Sequence, residues 1–276
     1  MTYSIEDIRQ AFLNAAPFPP ILYRVIAALK EKKGSLYKLG QEIAKDPVLS
    51  AKVLSAANSS FYGVKQKISD ISHAVTLLGL NDISMLVMQL ICKQALADSG
   101  LGKNSVIYPP NLIWLHSIKV AHLSRIIVRR NKLPFQPESY MAGLLHDIGK
   151  NAIAICIKRD DEKRVLLKLK QGKGQIEAEK KVLGLDHVEC GFEILKHMKM
   201  SLQVLQAVRR HHEKMDMNFC DINFILALSN ILAEYDEDKN YKEMDIQLKD
   251  QFGITSANIP YLDKLYDELK IDLENL

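Results

Sequence analysis

The 276 residues are 47% hydrophobic and 25% charged, which suits one large or two small domains with a buried core. Lys and Arg number 37 against 33 Asp and Glu, and the net charge of +4 is too mild to argue for nucleic acid or a membrane surface as partner. No uninterrupted apolar run approaches the ~20 residues of a membrane span. Cys92, Cys156, Cys190 and Cys220 form no Cys-x-x-Cys pair and read as small buried hydrophobes in a reducing compartment. With a polar start that lacks a signal peptide, the expected location is the cytoplasm.

Helical periodicity dominates and alternating strand patterns are nearly absent, so the expected fold is an all-α, multi-helix bundle. Ser4 caps a short first helix that ends before Pro17-Phe-Pro-Pro20. Ile21, Leu22, Val25, Ile26 and Leu29 then share one helical face. Ser35 opens a helix with Leu36, Leu39 and Ile43, and Asp46-Pro47 starts another that runs out near Asn58. Residues 58–70 are irregular, with Phe61 and Tyr62 expected to pin the loop. A short helix, His73 to Leu78, stops at Gly79, and a longer one runs from about Asp82 to Ala97. His73 has no partner at ligand spacing and reads as an ordinary polar residue.

The Gly-rich stretch 98–105 with Pro109-Pro110 marks a boundary, dividing an N-terminal helical subdomain (1–105) from a second one (106–235), with a helical tail over 236–276. The second part opens with a helix from about Asn111 to Arg130, carrying His116 on one face and His122 on another, solvent-side face. Pro137 starts the next helix. Lys158 to Lys181 mixes both charge signs, is broken by Gly172 and Gly174, and reads as a solvated face. Gly184-Leu-Asp-His187 turns into a helix, Ser201 caps the one ending at Arg209-Arg-His-His-Glu213, and Asp221 opens another. Tyr261 to Leu273 is an amphipathic closing helix, suited to completing the domain or docking on a partner.

The chemistry concentrates around Gly143-Leu-Leu-His-Asp-Ile-Gly-Lys150. Adjacent helical side chains splay by about 100°, so His146 and Asp147 reach one cation only if it sits beside their helix, with further ligands from neighbouring helices. His116, His187, His211 and His212 are the candidates. Imidazole and carboxylate together suit iron, zinc or manganese, and a metal-bound water is acidic enough to attack a phosphate ester. Lys150, one turn beyond Asp147, would hold a phosphate or protonate a leaving group. Its plainer role is a cation at a helix end.

The order His116, His146-Asp147, His211-His212 resembles the HD superfamily of metal-dependent phosphohydrolases. Across about residues 15–235 the chain resembles the HDOD branch of it, a bacterial signalling domain. The supporting pieces are Pro17-Phe-Pro-Pro-Ile-Leu, Asp46-Pro-Val-Leu-Ser50, Ala57-Asn-Ser59, Ala74-Val-Thr-Leu-Leu-Gly79, Trp114-Leu-His-Ser117, Ala142-Gly-Leu-Leu-His-Asp-Ile-Gly-Lys150, Gly184-Leu-Asp-His187 and His211-His-Glu213. In catalytic members a last helix gives an aspartate to the metal. Here Leu226-Ala-Leu-Ser-Asn-Ile-Leu232 places Asn230 at that position, a neutral and weaker ligand. The related HD-GYP phosphodiesterases, which hydrolyse cyclic di-GMP, carry a glutamate four positions before their first histidine, where this chain has Leu112. Their Gly-Tyr-Pro signature after His-His-Glu is absent too.

The resemblance therefore implies a non-catalytic regulatory module that acts through contacts with signalling proteins, its degenerate site holding a divalent metal or a nucleotide. The alternative is a metal-dependent phosphohydrolase acting on a nucleotide or cyclic dinucleotide, with Lys150 as its catalytic cation. A nucleic-acid adaptor fits poorly, since no aromatic-basic stripe is present.

Overall fold

The computed structural model describes residues 3–16, 18–31, 35–59, 67–98, 100–235 and 241–274. Its elements are helical, nearly all of them α-helices, and no strand occurs among the described residues. Phe61 and Tyr62 lie outside the described residues.

The first helices are α1 (Ile5–Ala15), α2 (Pro20–Glu31), α3 (Ser35–Ala44), α4 (Pro47–Ala57) and α5 (Ile71–Cys92). The starts of α1, α4 and α5 follow side-chain caps. Ser4 accepts from the Asp7 amide, Asp46 from Val48 and Leu49, and Asp70 from His73. Gly79 stands inside α5 with φ of 77°, a left-handed conformation that breaks the helix where the glycine predicts it. A π-helical turn, Lys93–Ala97, ends α5. The window around Ile71–Ala97 is apolar enough in length and composition to cross a membrane, with a mean hydropathy of 1.7. Here that helix packs against α2, α3 and α4 on one side and the second half of the chain on the other, and half of the window is buried.

The second half comprises α6 (Pro110–Arg130), α7 (Gln136–Leu145), α8 (Ile148–Cys156), α9 (Arg159–Lys170), α10 (Gln175–Leu183), α11 (His187–His197), α12 (Leu202–Arg210) and α13 (Ile222–Leu232). From Ser117 to Val128 every residue of α6 is buried, and so is nearly all of α13. A helix apolar or enclosed on all sides belongs in the middle of a bundle, and these two pack on each other with α7 beside them. Two glycines set the tightest approaches. A Cβ on Gly143 of α7 would come 2.6 Å from the Ala121 Cα of α6. One on Gly149 of α8 would come 1.9 Å from the His187 carbonyl oxygen of α11. No larger residue fits either contact without parting the helices.

Two features cross the expected subdivision. α1 packs on α8 and α11, and Tyr3 donates to Asp161 while Arg9 lies 2.8 Å from the His197 ring. At the other end, α14 (Tyr241–Phe252) packs on α13, and α15 (Leu262–Glu274) packs on α6. The docking of α15 corrects the placement of His122. It is not solvent-side but 3% exposed, with Nδ1 2.9 Å from Asp272 on α15 and its ring edge-on to Tyr140. The same Asp272 accepts from Arg125 at 2.6 Å, so one buried carboxylate ties His122 and Arg125 of α6 to the tail.

Candidate metal centre

His146 and Asp147 do not share a continuous helix, as the sequence suggested. They form the break between α7 and α8, with Asp147 at φ −100° and ψ 13°. The turn aims both side chains the same way, and His146 Nε2 lies 3.3 Å from Asp147 Oδ2. Gly143 and Gly149 bracket this turn, so the glycines of the motif hold it against α6 and α11 at once.

Neighbouring helices then supply the rest. From α6, His116 Nε2 comes within 4.0 Å of Asp147 Oδ2 and 2.8 Å of Asn230 Oδ1 on α13. Asp147 turns its other oxygen, Oδ1, toward α11 and α12. There it faces His187 Nε2 at 3.6 Å and His211 Nε2 at 3.9 Å. His212 completes the second group, with Nε2 3.2 Å from His187 Nε2. The structure thus brings His116, His146, Asp147, His187, His211, His212 and Asn230 to one place. They fall into two sets able to hold a metal ion: His116, His146 and Asp147, and His187, His211 and His212. Asp147 stands between them with one oxygen toward each.

The ring orientations are set from behind. His146 Nδ1 donates to the Gly143 carbonyl at 2.7 Å, and His211 Nδ1 to the Val208 carbonyl at 2.6 Å, each at a helix C-terminus. Both therefore present an Nε2 lone pair inward. Those two Nε2 atoms and Asp147 Oδ1 are buried without any hydrogen-bond partner. Buried polar atoms left unpaired are rare and costly, and three converging in one hollow fit an ion as their partner.

Charge states agree with that fit. Burial pushes the His116 ring down to about 4, aided by the neighbouring His146 ring. His211 is held well below its ordinary value by burial and by His212 and His146, so both rings are the neutral, coordinating form at pH 7. Burial pushes the Asp147 carboxyl up, but His146 and Lys150 outweigh it and hold it well below the usual carboxylate range. Lys150 does not point into open space. Its Nζ sits 2.6 Å from Asp147 Oδ2, and the side chain is only 14% exposed.

Beside the first set lies the amide of Asn230, its Oδ1 2.8 Å from His116 Nε2, and Leu112 is 63% exposed at the start of α6. Sequence reasoning missed three residues behind the site. Glu179, fully buried on α10, lies 2.8 Å from His187 Nδ1 and takes the His187 amide at 2.7 Å. The mixed charges of its segment point instead to a solvated face. The overlooked signal is that Ile176, Glu179 and Leu183 share one helical stripe, which points Glu179 inward. Gln251 of α14 donates to the carbonyls of His211 and Glu213 and so fixes the turn carrying the His-His pair. Glu234, beyond the end of α13, is raised by burial and lies close enough to Lys150 to feel its charge.

A family profile for the HDOD domain matches residues 15–214. The chain belongs to the HDOD family. This HDOD chain superposes on a crystal structure of an HDOD domain protein of unknown function from Geobacter sulfurreducens with a TM-score of 0.71, at 20% identity, covering 97% of this chain and 94% of that one. A protein from Shewanella amazonensis, named as a proposed phosphohydrolase, matches at TM-score 0.70 and 20% identity over 97% and 94% of the two chains. A protein from Marinobacter aquaeolei, named as a proposed signal transduction protein, matches at TM-score 0.68 and 22% identity, covering all of this chain and 60% of that one. Among curated proteins, the uncharacterised YuxH of Bacillus subtilis is 29% identical over 119 residues. The match takes in 43% of the HDOD chain and 27% of YuxH, so it spans about a quarter of that relative. At these identities the solved structures speak for the fold.

Proposed function

We propose that the chain is a regulatory module of signal transduction that works through protein contacts and holds a divalent metal in an HD-type site no longer tuned for hydrolysis. The observation carrying this reading is the Asn230 amide against His116 Nε2 at 2.8 Å, where a catalytic site would have a carboxylate. Replacing a charged oxygen with a neutral one removes a charge that would offset the cation. Leu112 removes a second acid at the mouth. Iron, zinc or manganese suits the imidazole-rich set, held by His116, His146 and Asp147 or by His187, His211 and His212. When bound, such an ion polarises a phosphate oxygen or acidifies a water. The chain's own residues set the neutral imidazoles around it and keep Asp147 ionised. The N-terminal helices supply the surface for a signalling partner, and α1 also forms part of the cleft wall, since Ile5 lines the hollow outside His212.

The second reading, a metal-dependent phosphohydrolase for a nucleotide or cyclic dinucleotide, draws support from Asp147 standing between two ligand sets with Lys150 beside it. One experiment separates them. Metal content is measured first, then turnover of cyclic di-GMP and a generic phosphodiester with manganese, iron and zinc. The regulatory reading expects bound metal and no turnover. Turnover abolished by His146→Ala would establish the enzyme instead.

A further inference from the structure

We propose that Glu179 is a positioning residue that sets the tautomer of His187 and, through Tyr108, ties the state of that histidine to the segment joining α5 to α6. The metal-dependent half of this proposal rests on the metal-binding reading above. The starting observation is that α9 and α10, otherwise a charged hairpin, turn two carboxylates inward. Glu162 is 5% exposed and Glu179 is 0%. A buried carboxylate costs several kcal/mol unless its lone pairs are taken, so both must be answered by specific donors.

The donors lie on one segment. Glu162 Oε1 accepts from the Ser105 hydroxyl at 2.6 Å and from the amides of Val106 at 2.6 Å and Ile107 at 3.1 Å. Glu179 Oε1 accepts from the hydroxyl of Tyr108, the next residue along. Glu179 also reaches the other way, to the His187 ring and amide. A chain of hydrogen bonds therefore runs from His187 through Glu179 to Tyr108, and Tyr108 is itself buried at 2% exposure.

Helix capping does not account for this arrangement. Asp186 already caps α11 with Glu189 in a reciprocal pair. The neighbouring rings show what Glu179 adds. His146 and His211 lean on neutral backbone carbonyls, whereas His187 leans on a carboxylate. A carboxylate behind an imidazole holds its proton on Nδ1, leaves Nε2 toward Asp147 and raises its basicity as a ligand. Tyr108 and His187 Nδ1 share Oε1, so drawing charge out of the His187 ring changes what remains for Tyr108.

The test uses the full chain with Zn2+ as the probe. Histidine nitrogen–proton NMR spectra report the His187 tautomer, chelator competition reports Zn2+ affinity, and hydrogen exchange follows the amides of residues 105–108 with and without Zn2+. The expected result for Glu179→Gln is a mixed His187 tautomer and a 10- to 100-fold loss of Zn2+ affinity. Tyr108→Phe should keep the tautomer but lose the Zn2+-dependent slowing of exchange at 105–108. Zn2+ affinity in Glu179→Gln equal to that of the wild type, with the His187 signal unchanged, overturns the proposal. If Glu179→Gln does not fold, unaltered Zn2+-dependent exchange in Tyr108→Phe overturns the coupling. A wild type that binds no Zn2+ overturns the metal reading instead, and the His187 tautomer in Glu179→Gln then decides the positioning role alone.

Discussion

Replacing Gly149 with alanine should disturb the candidate metal centre although the new methyl meets only backbone atoms, among them the carbonyl of His187. Inside an exposed helix, glycine to alanine would gain about 1 kcal/mol in propensity. Here the new Cβ would stand 1.9 Å from the His187 carbonyl oxygen and 2.8 Å from the Gly191 amide nitrogen, both backbone atoms with no rotamer to yield. Restoring the ~3.4 Å usual between a carbon and a carbonyl oxygen requires α8 and α11 to part by roughly 1.5 Å. Overpacking of a rigid interior costs about 1–3 kcal/mol, and a contact between two backbones belongs at the upper end. The clash therefore outweighs the propensity gain by about 2 kcal/mol. At a few degrees per kcal/mol for a chain of this size, Gly149→Ala should melt roughly 4–8 °C lower. The same displacement carries His187 away from Asp147 Oδ1, now 3.6 Å distant, so metal retention against a chelator should fall too. Calorimetry and metal analysis of the purified variant measure both. A matched control is Gly174→Ser, at the N-cap of α10 with φ −62° and no atom within 4 Å of a new Cβ. It should be neutral or slightly stabilising. If Gly149→Ala melts with the wild type, the close approach of α8 and α11 is refuted, and with it the placement of His187 beside Asp147.

Three further outcomes are expected. Asn230→Asp should tighten metal binding at least roughly tenfold, since it adds a charge beside His116, and equal affinity in a chelator titration would show that Asn230 lies outside the ligand set. Gln251→Ala removes two hydrogen bonds to the His211–Glu213 turn and should cost about 1–2 kcal/mol in denaturant unfolding. The docking of α15 should weaken in acid. His122 is lowered mainly by burial, so the unfolded chain binds its proton first and stability falls as pH drops below about 6.5. Burial raises the Asp272 carboxyl, but His122 and Arg125 outweigh this and leave it lowered, so its contribution is present above about 3.9 and lost as pH falls through its folded value. Protection of the α15 amides, taken relative to their intrinsic exchange rates, should thus fall as pH drops below about 6.5, and a protection ratio to α6 that does not change with pH would contradict the buried His122–Asp272 contact.

Local chemistry alone determined much of this protein. The caps at Ser4, Asp46, Asp70, Asp186 and Ser201 and the stop at Gly79 act within a few residues, so helix starts and breaks are legible in sequence. The spaced histidines and the His146-Asp147 pair likewise pointed to a histidine-rich cluster, which the fold brings together. Tertiary structure decided what those signals meant. The turn at His146-Asp147 exists because Gly143 and Gly149 let α6 and α11 approach from opposite sides, a constraint set by distant backbone. His122 faces Asp272 across 150 positions of sequence, and Glu179 faces Tyr108 across 71, and no periodicity within one helix encodes which partner will cover it. A helix's own pattern shows which face is buried. What that face is buried against depends on packing among helices far apart in the chain, and that is where the charged residues behind this histidine cluster acquire their partners.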